Sequence, residues 1–144
     1  VILRFEIEKG LFDGSMCVDD LPEIWNTMMM KYLGIKPPTD TLGVLQDSHW
    51  ASGAFGYFPS YTLGAIYACQ FHRTLLSEMP DTEKNIAKGH FAPINHWLNE
   101  KIHSQGTLYT PQELIQRVTG EPLNPNYFIN YLKTKYNSIY QLDS

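Results

Sequence analysis

Across residues 42–58 the apolar residues follow neither a helical nor a strand period, whereas on both sides of that stretch they recur every three or four positions. A chain patterned this way is a set of helices with one long interruption. Leu3, Ile7 and Leu11 stand at i, i+4 and i+8, and Arg4 and Glu8 are spaced to pair one turn apart, which predicts a helix to about Phe12 ended by Gly14. Asp20-Leu-Pro-Glu23 predicts a second helix, with Asp20 as its cap and Glu23 reciprocating, that carries Ile24, Trp25, Met28, Tyr32 and Leu33 up to a left-handed Gly34. Residues 35–40, with Pro37-Pro38, read as connector. Beyond the interruption a helix begins at Pro59 or Ser60 and runs to about Ser77, where Met79-Pro80 stops it. Residues 81–106 are helical again, bent near Gly89 and Pro93, with Phe91, Ile94, Leu98 and Ile102 on one stripe. Thr110-Pro-Gln-Glu113 is a capping box for a short helix closed by Gly120, and Asn124-Pro125 opens a last one with Phe128, Leu132, Tyr136 and Ile139 in register. The expected fold is all-α and multi-helix, and 144 residues suit a single helical domain, 1–144, better than two.

Composition narrows the function. At 43% apolar and 18% charged residues the chain has the material for a packed interior. Eleven basic residues against fifteen acidic ones, with no basic cluster to neutralise a run of phosphates, point away from nucleic acid. No apolar run approaches the roughly 20 residues needed to span a bilayer, so no membrane partner is expected. Cys17 and Cys69 lie far apart and outside any C-x-x-C, which fits a reducing, cytoplasmic setting and neither a disulfide framework nor a thiolate zinc site. The chain opens on Val-Ile-Leu-Arg-Phe without a Met or a helix start signal, and reads as the later part of something longer.

Loops longer than about 12–15 residues without structure of their own tend to be functional. The interruption brings together an amide (Gln46), a carboxylate (Asp47), an imidazole (His49) and two phenols (Tyr57, Tyr61), spaced by glycines that let backbone approach a ligand. Asp47, two residues before His49, can accept from one ring nitrogen and leave the other facing a ligand. Tyr57 and Tyr61 lie one helical turn apart, where both hydroxyls can point into one pocket, and a phenol keeps its proton near neutral pH and so suits a developing oxyanion. A tightly folded connector with Trp50, Phe55 and Phe58 plugging the core accounts for the same residues without a site.

Gly43-x-x-Gln46-Asp47-x-His49-Trp50 matches in full the G-x-x-Q-D-x-H-W motif of the carboxypeptidase Taq family, the zinc metallocarboxypeptidases of peptidase family M32. Phe55-Gly-Tyr-Phe-Pro-Ser-Tyr-Thr-Leu-Gly64, Leu3-Arg-Phe-Glu-Ile-Glu-Lys9, Asp20-Leu-Pro-Glu-Ile-Trp-Asn26 and Trp97-Leu-Asn-Glu-Lys-Ile-His103 resemble that family's corresponding segments, so the likeness covers essentially the whole chain. The resemblance implies the C-terminal portion of a helical zinc peptidase that removes single residues from peptides with a free C-terminus, works with one divalent metal (zinc or cobalt) and forms a homodimer. The family's H-E-x-x-H helix and downstream Glu, which hold its zinc, and its I-R-x-x-A-D motif, associated with recognition of the substrate's terminal carboxylate, are absent from these residues. The resemblance therefore places the metal ligands upstream of Val1 and implies that this chain alone is inactive. In the implied reaction a metal-activated water attacks the last peptide carbonyl, and the charge that builds on that oxygen needs a donor. Tyr61, twelve residues after His49, resembles the tyrosine of His and Tyr pairs in related helical H-E-x-x-H peptidases and is the implied oxyanion donor. His49 is a second donor, Tyr57 lines the pocket for the terminal residue, and Gln46 and Asp47 orient the groups that bind substrate. A non-catalytic helical module that binds peptides or partner helices through the aromatic segment is the competing expectation.

Other clusters have ordinary explanations. His96, Glu100 and His103 fall at i, i+4 and i+7 but off the apolar stripe, as a solvated face would. His72 reads as a core or interface histidine, and Met28-Met29-Met30 as one gap-filling contact, since consecutive helical residues diverge. Arg4, Arg73 and Arg117 are the guanidiniums present for a peptide carboxylate, and Arg4 already has Glu8 as its expected partner. Tyr127, Tyr131, Tyr136 and Tyr140 make the last helix either partner surface or core.

Overall fold

The computed structural model describes residues 1–142, and among them every regular element is helical. Packing falls into two compact units that meet in sequence at Leu63 and Gly64.

In the first unit, α1 (Ile2–Asp13) ends at a left-handed Gly14 and α2 (Leu21–Leu33) at a left-handed Gly34, both as the glycines predicted. Leu3 and Ile7 of α1 meet Trp25 of α2 and Val44 of the connector in one buried cluster, walled by Leu11, Met16, Ile24, Met28 and Met29. Ile7 is completely buried, worth about 1.5–3 kcal/mol relative to exposure. Asp20 does not cap α2. A 3-10 turn at Val18–Asp20 leads straight into the helix, which leaves Asp20 in a helical conformation from which its side chain makes no capping bond.

Residues 40–58 are irregular overall but built from single turns: 3-10 turns at Asp40–Leu42 and Val44–Gln46, then a four-residue helix, α3 (Ser48–Ala51). Gly43 is required by close approach, since a Cβ there would lie 3.2 Å from the Pro37 ring and 3.3 Å from Trp25 Nε1. Gly56 is required by its backbone, at φ 76°. In that conformation its N–H donates to Glu8 Oε2 at 3.1 Å. α4 (Pro59–Glu78) starts with proline at its first position, which carries Tyr61 into the first turn.

The second unit takes the rest of α4, then α5 (Thr82–Ala87), α6 (Ala92–Lys101), α7 (Pro111–Thr119) and α8 (Asn126–Tyr140). Leu75, Trp97 and Ile115 are its buried apolar side chains. The stripe expected on α6 is corrected in one respect. The helix begins only at Ala92, so Phe91 is 50% exposed, and Trp97 is the buried residue, its Nε1 donating to Glu78 Oε2 at 2.7 Å. Thr110 and Glu113 form the full capping box, and Gly120 closes α7 in a left-handed conformation. α8 has no buried residue; Phe128 and Leu132 are half-buried, while Tyr136 and Ile139 face solvent. No helix among the described residues is long and apolar enough to cross a membrane.

Candidate active site

The polar residues singled out by sequence converge at the N-terminus of α3. Asp47 precedes it in an extended conformation, so its Oδ1 accepts from the backbone N–H of His49 at 2.9 Å and of Trp50 at 3.4 Å. Its Oδ2 accepts from Nε of Arg4, whose guanidinium also stacks over the Trp25 and Phe58 rings at 4.9 and 5.5 Å. The Asp47 side chain is 1% exposed. Burial alone would raise its carboxyl pKa, but the Arg4 guanidinium and the two backbone N–H groups outweigh it and hold it below the usual carboxylate range.

His49 is fixed on both edges. Its Nδ1 lies 3.3 Å from Asp47 Oδ1, and its Nε2 lies 3.1 Å from the hydroxyl of Tyr61. Its ring packs against Phe58 at 4.9 Å and stacks on Tyr57 at 5.8 Å. With a hydrogen on Nδ1 facing the carboxylate, Nε2 is the edge that accepts from Tyr61 and aims its O–H. A cleft of about 280 Å³ opens over this row, lined by Val1, Arg4, Gln46, Asp47, Ser48, His49, Phe58 and Tyr61. Tyr61 is 50% exposed at this cleft.

The structure thus joins Asp47, His49 and Tyr61 and puts Gln46 on the cleft wall. Gln46 is itself spoken for, since its Nε2 donates to Leu42 O at 3.0 Å. Tyr57 does not line this cleft; it is an exposed ring set edge-on to Tyr61 at 5.3 Å and stacked on the imidazole. Of the three aromatics expected to plug the core, Phe58 is buried and Trp50 half-buried, while Phe55 is exposed with its edge against Phe12.

The residues that sequence reasoning missed are on α1. Arg4 and Glu8, expected to pair with each other, part company: Arg4 takes Asp47, and Glu8, 4% exposed, accepts from Trp50 Nε1 at 3.0 Å as well as from Gly56. Two charges on α1 therefore tie down the start and the middle of the irregular segment. The one sequence signal for this was their position next to Leu3 and Ile7, at the edge of the buried face, where an ion needs a tertiary partner.

The remaining clusters stay apart from this chemistry. α6 ends at Lys101, so His103 leaves the face shared by His96 and Glu100, and those two lie 3.7 Å apart on the exposed surface. His72 is exposed near Glu83 rather than in a core, and Arg117 stacks on Tyr109 at 4.2 Å. Among the described residues no group of three or more His, Cys, Asp and Glu could hold a metal ion.

Residues 1–136 match the family described as Carboxypeptidase Taq (M32) metallopeptidase. The chain is 47% identical to Carboxypeptidase 1 of Bacillus subtilis over 99% of its own length and 28% of that protein's. It is 42% identical to Thermostable carboxypeptidase 1 of Pyrococcus furiosus, over 94% of its length and 27% of that protein's. The crystal structure of an M32 carboxypeptidase from Deinococcus radiodurans superposes with a TM-score of 0.93 at 35% identity, covering 98% of this chain and 29% of that one. The chain therefore spans little more than a quarter of the relatives that it matches.

Proposed function

The chain belongs to the carboxypeptidase Taq (M32) metallopeptidase family, and from that premise we propose that it is the C-terminal part of a zinc-dependent metallocarboxypeptidase, supplying oxyanion and substrate-binding groups for hydrolysis of the last peptide bond. The observation that carries this reading is the Asp47–His49–Tyr61 row, ending in a hydroxyl held 3.1 Å from Nε2 at the edge of a cleft. The family implies a divalent metal, and the described residues offer no ligand set for one. Its ligands then belong to the three-quarters of the relatives' length that this chain does not span, and no step below passes through it.

What these residues do follows from their bonds. Asp47, neutralised by Arg4, holds the start of α3 and the imidazole edge. His49 Nε2 orients the Tyr61 O–H in the resting site. As charge develops on the carbonyl oxygen of the last peptide bond, that oxygen becomes a stronger acceptor than the imidazole nitrogen, because a hydrogen bond to an anion is roughly twice as strong as one between neutral groups. The Tyr61 O–H turns to it, and the bond forms where it lowers the barrier. Tyr57, exposed beside the cleft and stacked on His49, contacts the terminal side chain in this reading. The exposed Cys17 and half-buried Cys69, both free, suit a cytoplasmic enzyme, and the family's homodimer belongs to the same reading.

Tyr61→Phe in the full-length protein tests the assignment. Turnover on peptides with a free C-terminus is expected to fall by about 10²–10³ with unfolding unchanged; an unchanged kcat removes Tyr61 from the mechanism. A wild-type protein that binds such peptides without releasing C-terminal residues would instead be a non-catalytic peptide-binding module. Residues 1–144 alone are expected to carry no stoichiometric zinc and to show no turnover, and finding both by metal analysis and a residue-release assay would reveal a ligand set within them.

A further inference from the structure

His49 and Tyr61 reach each other from different elements. His49 rides on α3 and Tyr61 on the first turn of α4, with residues 52–58 between them. The backbone N–H groups of residues 52–54 return to α3 and that of Phe55 to Gly53, while those of Ser60 and Tyr61 belong to the start of α4. Within 52–58 only Phe58 is buried. The N–H of Gly56 falls between the two halves, and it donates out of the segment, to Glu8 Oε2 at 3.1 Å. The other oxygen of the same carboxylate accepts from Trp50 Nε1 at 3.0 Å, on the residue next to His49. One buried side chain of α1 thus grips α3 with one oxygen and the lead-in to α4 with the other.

Both partners are N–H groups, and a carboxylate offers each an acceptor without bringing a donor of its own. Among the described residues no Lys, Arg or His lies within ion-pair distance of Glu8, so the group is buried against two neutral donors, an arrangement that costs stability. Resting on the carboxypeptidase reading above, we infer that Glu8 is a positioning residue for the Tyr61 hydroxyl. By bridging Trp50 and Gly56 it sets the separation of imidazole and phenol, and so aims the O–H at the oxygen where charge develops. Arg4 and Asp47 hold the start of α3 independently of Glu8, so losing the bridge leaves His49 seated and frees the α4 end. A misplacement of about 1 Å near a reacting group can cost about 10²-fold in rate. The loss falls on kcat rather than KM, because the bond being aimed is made in the transition state.

The experiment is a double-mutant cycle on the full-length protein, with kcat and KM measured on a peptide with a free C-terminus. Glu8→Gln keeps the volume but turns an NH2 group toward one of the two N–H donors, breaking the bridge on one side. Its kcat is expected to fall by about 10–10²-fold with KM little changed. In the Tyr61→Phe background, where no hydroxyl is left to aim, the same substitution is expected to cost almost nothing further. An equal fold-loss in both backgrounds would make Glu8 a general support of the fold and overturn the proposal, as would a loss that appears in KM alone. Should Glu8→Gln not fold, Trp50→Phe, which removes the indole N–H from the other end of the bridge, replaces it in the cycle with the same two outcomes. A Tyr61→Phe enzyme with unchanged kcat overturns the underlying reading of Tyr61. That result is distinct from a slow Tyr61→Phe beside a fully active Glu8→Gln, which overturns the role of Glu8 alone.

Discussion

A buried polar hub in each unit, Gln70 in one and Asp47 in the other, makes a comparison, because the two are finished differently. In the second unit the hub is Gln70, 1% exposed, whose Nε2 donates to Thr119 Oγ1 at 3.0 Å and Pro122 O at 3.1 Å while its Oε1 accepts from Asn124 N at 2.9 Å. Both ends of the amide are answered by protein, as buried polar groups normally are. In the first unit the hub is Asp47, also buried and multiply bonded, but the network continues outward through His49 to a half-exposed phenol and through Arg4, whose outer nitrogens have no hydrogen-bond partner among the described residues. A network closed on itself fixes a loop. One that ends in unspent donors at a cleft has capacity left for a ligand, and that difference, more than burial or residue type, singles out the first hub as the candidate site.

The comparison is sharpest when the two hubs are broken in parallel in the full-length protein. Tyr61→Phe cuts only the open end, so its expected loss of about 10²–10³ in turnover, equivalent to roughly 3–4 kcal/mol of transition-state stabilisation, comes with no change in unfolding. Gln70→Ala should do the reverse. It leaves the Asn124 N–H without its acceptor and costs about 2–3 kcal/mol of stability, read by urea unfolding, with kcat unchanged. If Gln70→Ala lowered turnover as much as Tyr61→Phe does, closure would not distinguish structure from site.

A smaller effect concerns acid. The Asp47 carboxyl lies below its usual range in the folded chain, so in the unfolded chain it binds a proton more readily. Its contribution to stability is therefore complete above the unfolded value of about 3.9 and is lost as pH falls through the lower folded value. Asp47→Asn is expected to lie below wild type by a constant amount at neutral pH, and the gap should close as the pH drops past 4. Unfolding curves from pH 7 to 2 measure this, and a gap that stays constant throughout would mean that the Asp47 charge contributes nothing to folding.

Much of the secondary structure was legible because its punctuation is local. Gly14, Gly34 and Gly120 end helices by their own backbone freedom, Pro59 starts one by its fixed φ, and Thr110 and Glu113 cap each other across three residues. Failures came where a local signal competed with its neighbours. Asp20 has the side chain of a cap but the backbone of a preceding turn, and Phe91 has the right spacing but lies one residue before its helix. The candidate site was legible in its membership: Asp47, His49 and Tyr61 were named from residue type and spacing, and the fold joins them. Tyr57 was named with them and stands beside the cleft, because residues one turn apart share a face only if both are helical, and Tyr57 precedes α4.

The amino-acid sequence alone determined which segments become helices, where they stop, and that one irregular stretch gathers an imidazole, a carboxylate and a phenol, since each depends on interactions within a few residues along the chain. Tertiary structure alone decided the partners of Arg4 and Glu8. Their spacing along α1 satisfies an i,i+4 pair, worth about 0.2–0.5 kcal/mol on an exposed helix. Folding sets a buried carboxylate beside one and an indole N–H and a backbone N–H beside the other, and a buried polar group left without a partner costs more than such a pair returns.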